Sequence, residues 1–271
     1  MSTKDHDDVR KLAPEFATFD DAKLAQMEAI TGPPAHDLLR LSNLFEAVRT
    51  RPVRMLESAA GGGCLTAALF RQVPSEEIKD LEVVCGDVVP EMVELAAARS
   101  RKEGWKNVDC RVFDGMDIPF PDETFSHALI HYGIQLYPDP QKGILENLRV
   151  LQTGGVFGVS VWHTPGFLPY IQRADPDFVV PPPMQSPITR PDSARTMLEA
   201  VGFTNVRHQD VSVPVHFDSP EKAAQGWLAL MKGMFKTDEI AQRVVQLLRE
   251  DHGDGAFTLY WKGINVVAEK V

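Results

Sequence analysis

The chain has 271 residues, 44 % hydrophobic and 24 % charged, with a formal net charge of -10. This length suffices for one large α/β domain or two small ones with a substantial core. The acidic balance excludes most phosphate-backbone binders, whose affinity comes from clustered Lys and Arg displacing counterions, so no nucleic-acid partner is expected.

The opening residues MSTKDHDDVRK are charged where a signal peptide carries an apolar stretch. No run approaches the roughly 18 apolar residues of a membrane span, so a cytoplasmic protein without a membrane partner is expected. Cys64, Cys85 and Cys110 show neither a CxxC pair nor a nearby His at ligand spacing. They read as packing thiols, and no metal site is expected.

In chain order, two helical patterns come first. In the second, Leu38, Leu41, Leu44, Phe45 and Val48 recur at helical spacing, and residues 1–50 read as a helical cap segment. From Val53, apolar runs alternate with helices: VRMLES, CLTAALFRQV, LEVVCG, PEMVELAAARSRKEG, VDCRVF, FSHALI, QKGILENLRVL and GVFGVSVW. Strands alternating with helices imply parallel pairing through right-handed crossovers. LEVVC and VFGVSV are apolar on both faces, as strands covered on each side should be. Gly154 and Gly155 are expected to stop the helix ending at Leu151 and start the next strand.

After Trp162 the proline-rich stretch HTPGFLPYIQRADPDFVVPPPMQSPITRP cannot run as a long regular element and reads as a lid excursion. DSARTMLEAVGF returns as a helix, with Asp192 or Ser193 near its start and Gly202 past its end. NVRHQDVSVPVHF and FTLYWKGINVVAEK then pair as a final hairpin, separated by a helical insertion from Pro220 to about His252 that folds over the sheet's carboxyl edge. The expected fold is α/β: a Rossmann-like, doubly wound, mostly parallel seven-stranded sheet with a C-terminal antiparallel hairpin and a helical cap. The main domain spans 51–271, with lid insertions near 164–190 and 218–253.

The stretch RMLESAAGGGCLTAAL leads a strand through three glycines into a helix, where backbone N–H groups face ligands of open α/β sheets. A dinucleotide site asks for G-x-G-x-x-G. Gly61 and Gly63 fit, but Thr66 takes the third position. The pattern acid-x-G-x-G-x-G, which approaches a nucleoside amino acid, places Glu57, Ala59, Gly61 and Gly63 at its four positions, with alanine for the first glycine. A merely tight strand-to-helix turn is the third reading. Asp87 follows the next strand at its carboxyl edge, where a carboxylate can accept from both ribose hydroxyls or simply cap a helix, and Val88 and Met92 supply an apolar surface. At the third strand's end Asp114 is an acceptor for an exocyclic amine, with Gly115 and Met116 as close backbone.

These segments, with LYPD and ENLRVLQTGGVFGVSVW, resemble in order and spacing the class I S-adenosylmethionine-dependent methyltransferases. RVLQTGG resembles the RVLKPGG turn of the ubiquinone and menaquinone methyltransferase-like branch. VVCGDVVPEMV, KEGW and the alanine at 59 are similar to fungal secondary-metabolite methyltransferases, gliotoxin-type thiol methyltransferases among them. The resemblance implies S-adenosyl-L-methionine as cofactor. It implies that Gly61, Gly63 and the loop residue Ala59 hold the methionine portion, Asp87 the ribose and Asp114 the adenine, with Glu57 acting through loop backbone or water.

Methyl transfer is an in-line displacement, for which proximity and orientation can supply about 7–11 kcal/mol. A base is needed only where the nucleophile arrives protonated, and histidine suits that task. His131, after the fourth strand, is the first candidate; the alternative is a ring that packs or bonds cofactor backbone. His163 ends the fifth strand as a second candidate, while His127, inside a strand, reads as structural. Tyr132 beside His131, Trp162, and Trp227 and Met231 on the inserted helix with Met234 and Phe235 are candidates for an acceptor pocket or for plain packing. Phe16 and Phe19 are candidates to close over the cofactor. The function expected is methyl transfer to an O, S or N atom of a small, largely apolar metabolite. The alternatives are a methyltransferase-shaped protein that binds without transfer, such as a pericyclase or regulatory partner, and a nicotinamide-dependent oxidoreductase.

Overall fold

The computed structural model describes residue 19 and residues 21–180, 185–230 and 238–271. The run VRMLES, buried at every position but Arg54, forms β1 (Val53–Ser58) in the interior of the sheet, paired in parallel with β2 (Leu81–Asp87) on one side and β4 (Phe125–His131) on the other. Beyond β2 lies β3 (Val108–Val112), and beyond β4 lies β5 (Leu151–Thr164), both parallel to their neighbours. Then β7 (Phe257–Lys270) pairs antiparallel with β5, and β6 (Phe203–Phe217) pairs antiparallel with β7 at the far edge. The order β3-β2-β1-β4-β5-β7-β6 is the expected doubly wound sheet with its terminal hairpin. The winding reverses between β1 and β4, so the crevice where such sheets take ligands opens at the carboxyl ends of these strands.

One face of the sheet carries α1 (Asp21–Leu41), α2 (Leu44–Thr50) and α3 (Cys64–Gln72), whose Leu38, Leu39, Leu44, Leu65 and Leu69 pack on Met55 and Leu129. The helix α4 (Pro90–Glu103) follows β2. Against the opposite face lie α5 (Pro140–Val150), capped by Asp139 accepting from the Lys142 amide at 3.0 Å, and α7 (Pro191–Ala200), burying Ile144 and Leu198 on Phe125 and Phe157. A third apolar cluster joins α6 (Leu168–Ala174), α8 (Pro220–Leu230) and α9 (Asp238–His252) to the ends of β6 and β7 nearest the carboxyl edge, through Phe167, Ile171, Leu248 and Trp261. The insertion therefore sits over that edge, on the hairpin side.

One local expectation is corrected. Helix α5 ends at Val150, and Leu151 already pairs with Phe125 in the sheet. The next pairing, His127 with Val156, lies beyond an excursion in which Gly154 takes φ 76°, so the glycines turn the chain within β5 rather than start it. Helix α7 begins on Pro191, whose fixed φ suits the first helical position, and Asp192 and Ser193 follow in its first turn, near the start as expected. No helix among the described residues is long and apolar enough to cross a membrane.

Candidate functional site

The three consecutive glycines have different tasks. Gly61 and Gly63 turn at φ 52° and 73°, in the left-handed region where a side chain is strained, as does Ala59 at φ 52°. An L-residue there costs about 1–2 kcal/mol. The Cβ of Ala59 finds room because residue 133 is glycine: a Cβ built on Gly133 would stand 2.4 Å from it. Gly62 serves the cap, since a Cβ there would meet Leu24 of α1 at 2.5 Å.

Glu57, at the end of β1, is buried and turned toward the start of α3. Its carboxylate accepts from the Leu65 amide at 3.2 Å, the Thr66 amide at 3.0 Å and the Thr66 hydroxyl. Burial pushes its carboxyl up to about 7 against the opposing pull of these donors. Glu57 thus braces the loop. Thr66, which counts against a dinucleotide loop, is the residue that Glu57 uses for this purpose.

At the tip of β2, Asp87 accepts from the Gly61 amide at 2.8 Å and the Val89 amide at 3.0 Å, which ties the second strand to the glycine loop. Burial raises its pKa against those hydrogen bonds. After β3, Asp114 accepts from the Met116 amide at 2.8 Å. Gly115 makes room for Tyr137, whose hydroxyl would lie 2.0 Å from a Cβ there and which hydrogen-bonds Ser58 Oγ at 3.0 Å. Asp87, Val88, Met92, Asp114, Gly115, Met116, His131 and Tyr132 line one cleft with the glycine loop, so residues far apart in the chain share a single wall.

Helix α1 closes this cleft with Leu24, Met27, Glu28 and Thr31, and Phe19 ahead of the helix also lines it. Glu28 pairs with Arg99 of α4, only 8 % exposed, and with Arg71 at 3.0 Å, while Arg99 also donates to the Gly62 carbonyl at 3.2 Å. Burial pushes Glu28 up, but the two guanidiniums outweigh it and hold the carboxyl below its ordinary range. This ion-paired fastening of α1 was not legible in the sequence, because its partners come from α1, α3 and α4. Phe16 lies outside the described residues.

His131 stands in the cleft wall with a polar atom close to each ring nitrogen. Nε2 lies 2.9 Å from the Thr31 carbonyl and Nδ1 2.9 Å from Ser160 Oγ. Because a carbonyl only accepts, Nε2 carries the proton. Ser160 donates its hydroxyl proton to Asn265 Oδ1 at 2.7 Å, so Nδ1 faces the Ser160 oxygen without receiving that proton, and Asn265 Nδ2 donates to the Pro34 carbonyl at 2.9 Å. Burial lowers the His131 pKa to about 4, so the ring is neutral at pH 7. Tyr132 follows at φ 58°, stacked on Trp162 with centroids 4.1 Å apart.

Other candidates fall elsewhere. His163 is exposed, lies 2.8 Å from Thr164 Oγ1 and lines a separate surface depression with Arg173 and Lys262, apart from the cleft that His131 lines. Trp162 backs Tyr132 and Trp261 rather than lining the cleft. Trp227 is buried among Phe167, Tyr170 and Phe217 in the third core cluster and is a packing residue. Met231, Met234 and Phe235 lie outside the described residues. His127 is buried beside Ser126 Oγ at 3.1 Å, as a structural histidine should be.

The donor set fits a sulfonium nucleoside: carboxylates at the second and third strand ends, apolar Val88 and Met92 between them, and a glycine loop at a helix N-terminus. Among curated proteins, the chain is 30 % identical over 114 residues to "Methyltransferase tpcH" of Aspergillus fumigatus, covering 42 % of this chain and 40 % of that protein. It is 31 % identical over 157 residues to "Acetylaranotin bis-thiomethyltransferase" of Aspergillus terreus, covering 58 % and 51 %. The chain thus spans about half or less of the length of these two relatives. Among solved structures, the YcgJ protein of Bacillus subtilis superposes with a TM-score of 0.61 at 20 % identity, covering 87 % of this chain and 98 % of that one, a likeness of fold. Residues 16–170, more than half the chain and the whole span from the cap through the glycine loop, Asp87, Asp114 and His131, match the ubiE/COQ5 methyltransferase family, and to that family the chain belongs.

Proposed function

We propose that this protein transfers a methyl group from S-adenosyl-L-methionine to a sulfur, oxygen or nitrogen atom of a small, largely apolar metabolite. The observation that carries the reading is the joint placement of Asp87, Asp114 and the loop residues Ala59 to Gly62 on one cleft at the sheet's reversal point. Asp87 takes the ribose hydroxyls while fixing the loop through the Gly61 amide. Asp114 takes the adenine amine, and Val88 and Met92 flank the base. When bound, the cofactor supplies an electrophilic methyl on a cationic sulfur.

The chain's part is to hold and to exclude water. Leu24, Met27 and Thr31 of α1 cover the cleft, which supports displacement at carbon in a dry site. In this closed arrangement His131 Nε2–H is committed to Thr31, so no free imidazole base faces the acceptor. That favours nucleophiles that lose a proton readily. A thiol, with an ordinary pKa of about 8.5 against about 10 for a phenol, asks least of the protein. The printed name of the Aspergillus terreus relative, a bis-thiomethyltransferase, supports sulfur as the first acceptor to try.

The test is incubation with methyl-labelled cofactor and a panel of apolar thiols, phenols and amines. Labelled product with stoichiometric S-adenosylhomocysteine is expected. Tight cofactor binding with no transfer to any class would favour the binding-only reading.

A further inference from the structure

Tyr132 combines three features that nothing in the fold requires together. A non-glycine aromatic sits at φ 58°, its ring is clamped flat on Trp162 at 4.1 Å, and its buried Oη finds no hydrogen-bond partner among the described residues. Buried hydroxyls are nearly always bonded, and strained backbone at a cleft persists where the surrounding structure holds it for a ligand. Tyr132 lines the cleft; its phenol is near enough to the Cys64 thiol to be affected by it, and the next residue, Gly133, packs so closely on Ala59 of the glycine loop that a Cβ there would stand 2.4 Å from the alanine's, which puts Tyr132 at the glycine-loop end.

We propose that Tyr132 Oη donates a hydrogen bond to the carboxylate on the amino-acid portion of the bound sulfonium nucleoside; this rests on the cofactor reading above. Burial, with the Cys64 thiol adding to it, holds the phenol protonated far above neutral pH, so the group is a permanent donor and not a base. A permanent donor calls for a permanent acceptor. On that cofactor the carboxylate is the sole anionic group, and it belongs to the portion that a glycine loop approaches. The neighbouring end of α3 (Cys64–Gln72) adds the partial positive charge of a helix N-terminus on the same side. Trp162 contributes by fixing the ring: with one face covered by the indole, the hydroxyl has a defined position before ligand arrives.

The test is calorimetric titration of the full chain and of Tyr132→Phe with two probes. S-adenosylhomocysteine carries the carboxylate, and 5′-methylthioadenosine lacks the amino-acid portion. Loss of a hydrogen bond to a charged group predicts that Tyr132→Phe binds S-adenosylhomocysteine about tenfold or more weakly while binding methylthioadenosine unchanged. Equal losses for both probes, or none for S-adenosylhomocysteine, would overturn the proposal. The wild-type arm judges the cofactor reading separately, since wild-type protein that binds neither probe refutes that reading and this proposal with it. Should the phenylalanine variant not fold, decarboxylated S-adenosylmethionine on wild-type protein decides: affinity equal to that of S-adenosylmethionine contradicts a carboxylate contact, and a tenfold loss supports it.

Discussion

His131→Ala tests whether the histidine fastens α1 over the cleft. The wild-type ring bridges Thr31 in the cap and Ser160 in β5, each at 2.9 Å. Its removal deletes the side-chain hydrogen bond to the Thr31 carbonyl, while Asn265 still reaches Pro34 at 2.9 Å and Arg99 still pairs with Glu28, so the cap is loosened rather than released. Losing one such hydrogen bond costs about 0.5–1.5 kcal/mol, which is about 2- to 13-fold in the equilibrium for local opening. Hydrogen exchange read by mass spectrometry should show the amides of residues 23–32 exchanging faster by that factor, with β1 and β4 unchanged. Unaltered exchange in the cap, or equal acceleration in cap and sheet, would refute the fastening.

The same contact predicts a pH dependence. A histidine whose folded pKa lies below its ordinary 6.5 contributes stability that is present above 6.5 and is lost as pH falls through about 4. Wild-type cap protection should therefore decline across that window, and His131→Ala should lack this component.

Three further predictions concern the loop and the acid after β3. Gly133→Ala should destabilise by about 1–3 kcal/mol through its clash with the Ala59 Cβ, and adding Ala59→Gly should restore most of the loss; thermal melts of the two single variants and the double variant measure this coupling. Glu57, with its pKa raised from 4.5 to about 7, contributes stability that is full below 4.5 and lost as pH rises through 7, so Glu57→Gln should remove a falling component of the wild-type stability profile between those values. Asp114→Ala should raise the KM for S-adenosylmethionine with little change in melting temperature, as initial rates on the best acceptor would report.

What the sequence revealed and what it hid follow from the range of the interactions. Strand-and-helix alternation and the apolar double-faced runs are local properties, and they carried the sheet, the hairpin and the positions of Asp87 and Asp114. The glycine loop was legible as a loop, but the task of Gly62 was not, since Leu24 approaches it from a helix that precedes β1. His131 was visible as a histidine at a strand end. That its ring is spoken for by Thr31, a hundred residues earlier, is a tertiary fact. His163 and Trp227 show the converse: a residue type suited to the chemistry, next to the right strand or on the right helix, still faces wherever packing turns it, here toward a surface depression and a separate core. The prolines at 33 and 34 lie inside α1, where Pro34 and nearby Thr31 offer their carbonyls to Asn265 and His131, and no linear pattern names those partners.

The most direct measurement is the affinity of the purified chain for S-adenosylhomocysteine and for a nicotinamide dinucleotide, compared between wild type and Asp87→Ala. The account predicts heat with the nucleoside alone, weakened about tenfold or more by a substitution that removes both the sugar's acceptor and the tie to the Gly61 amide. Heat with the dinucleotide alone, or nucleoside binding indifferent to Asp87, would contradict it.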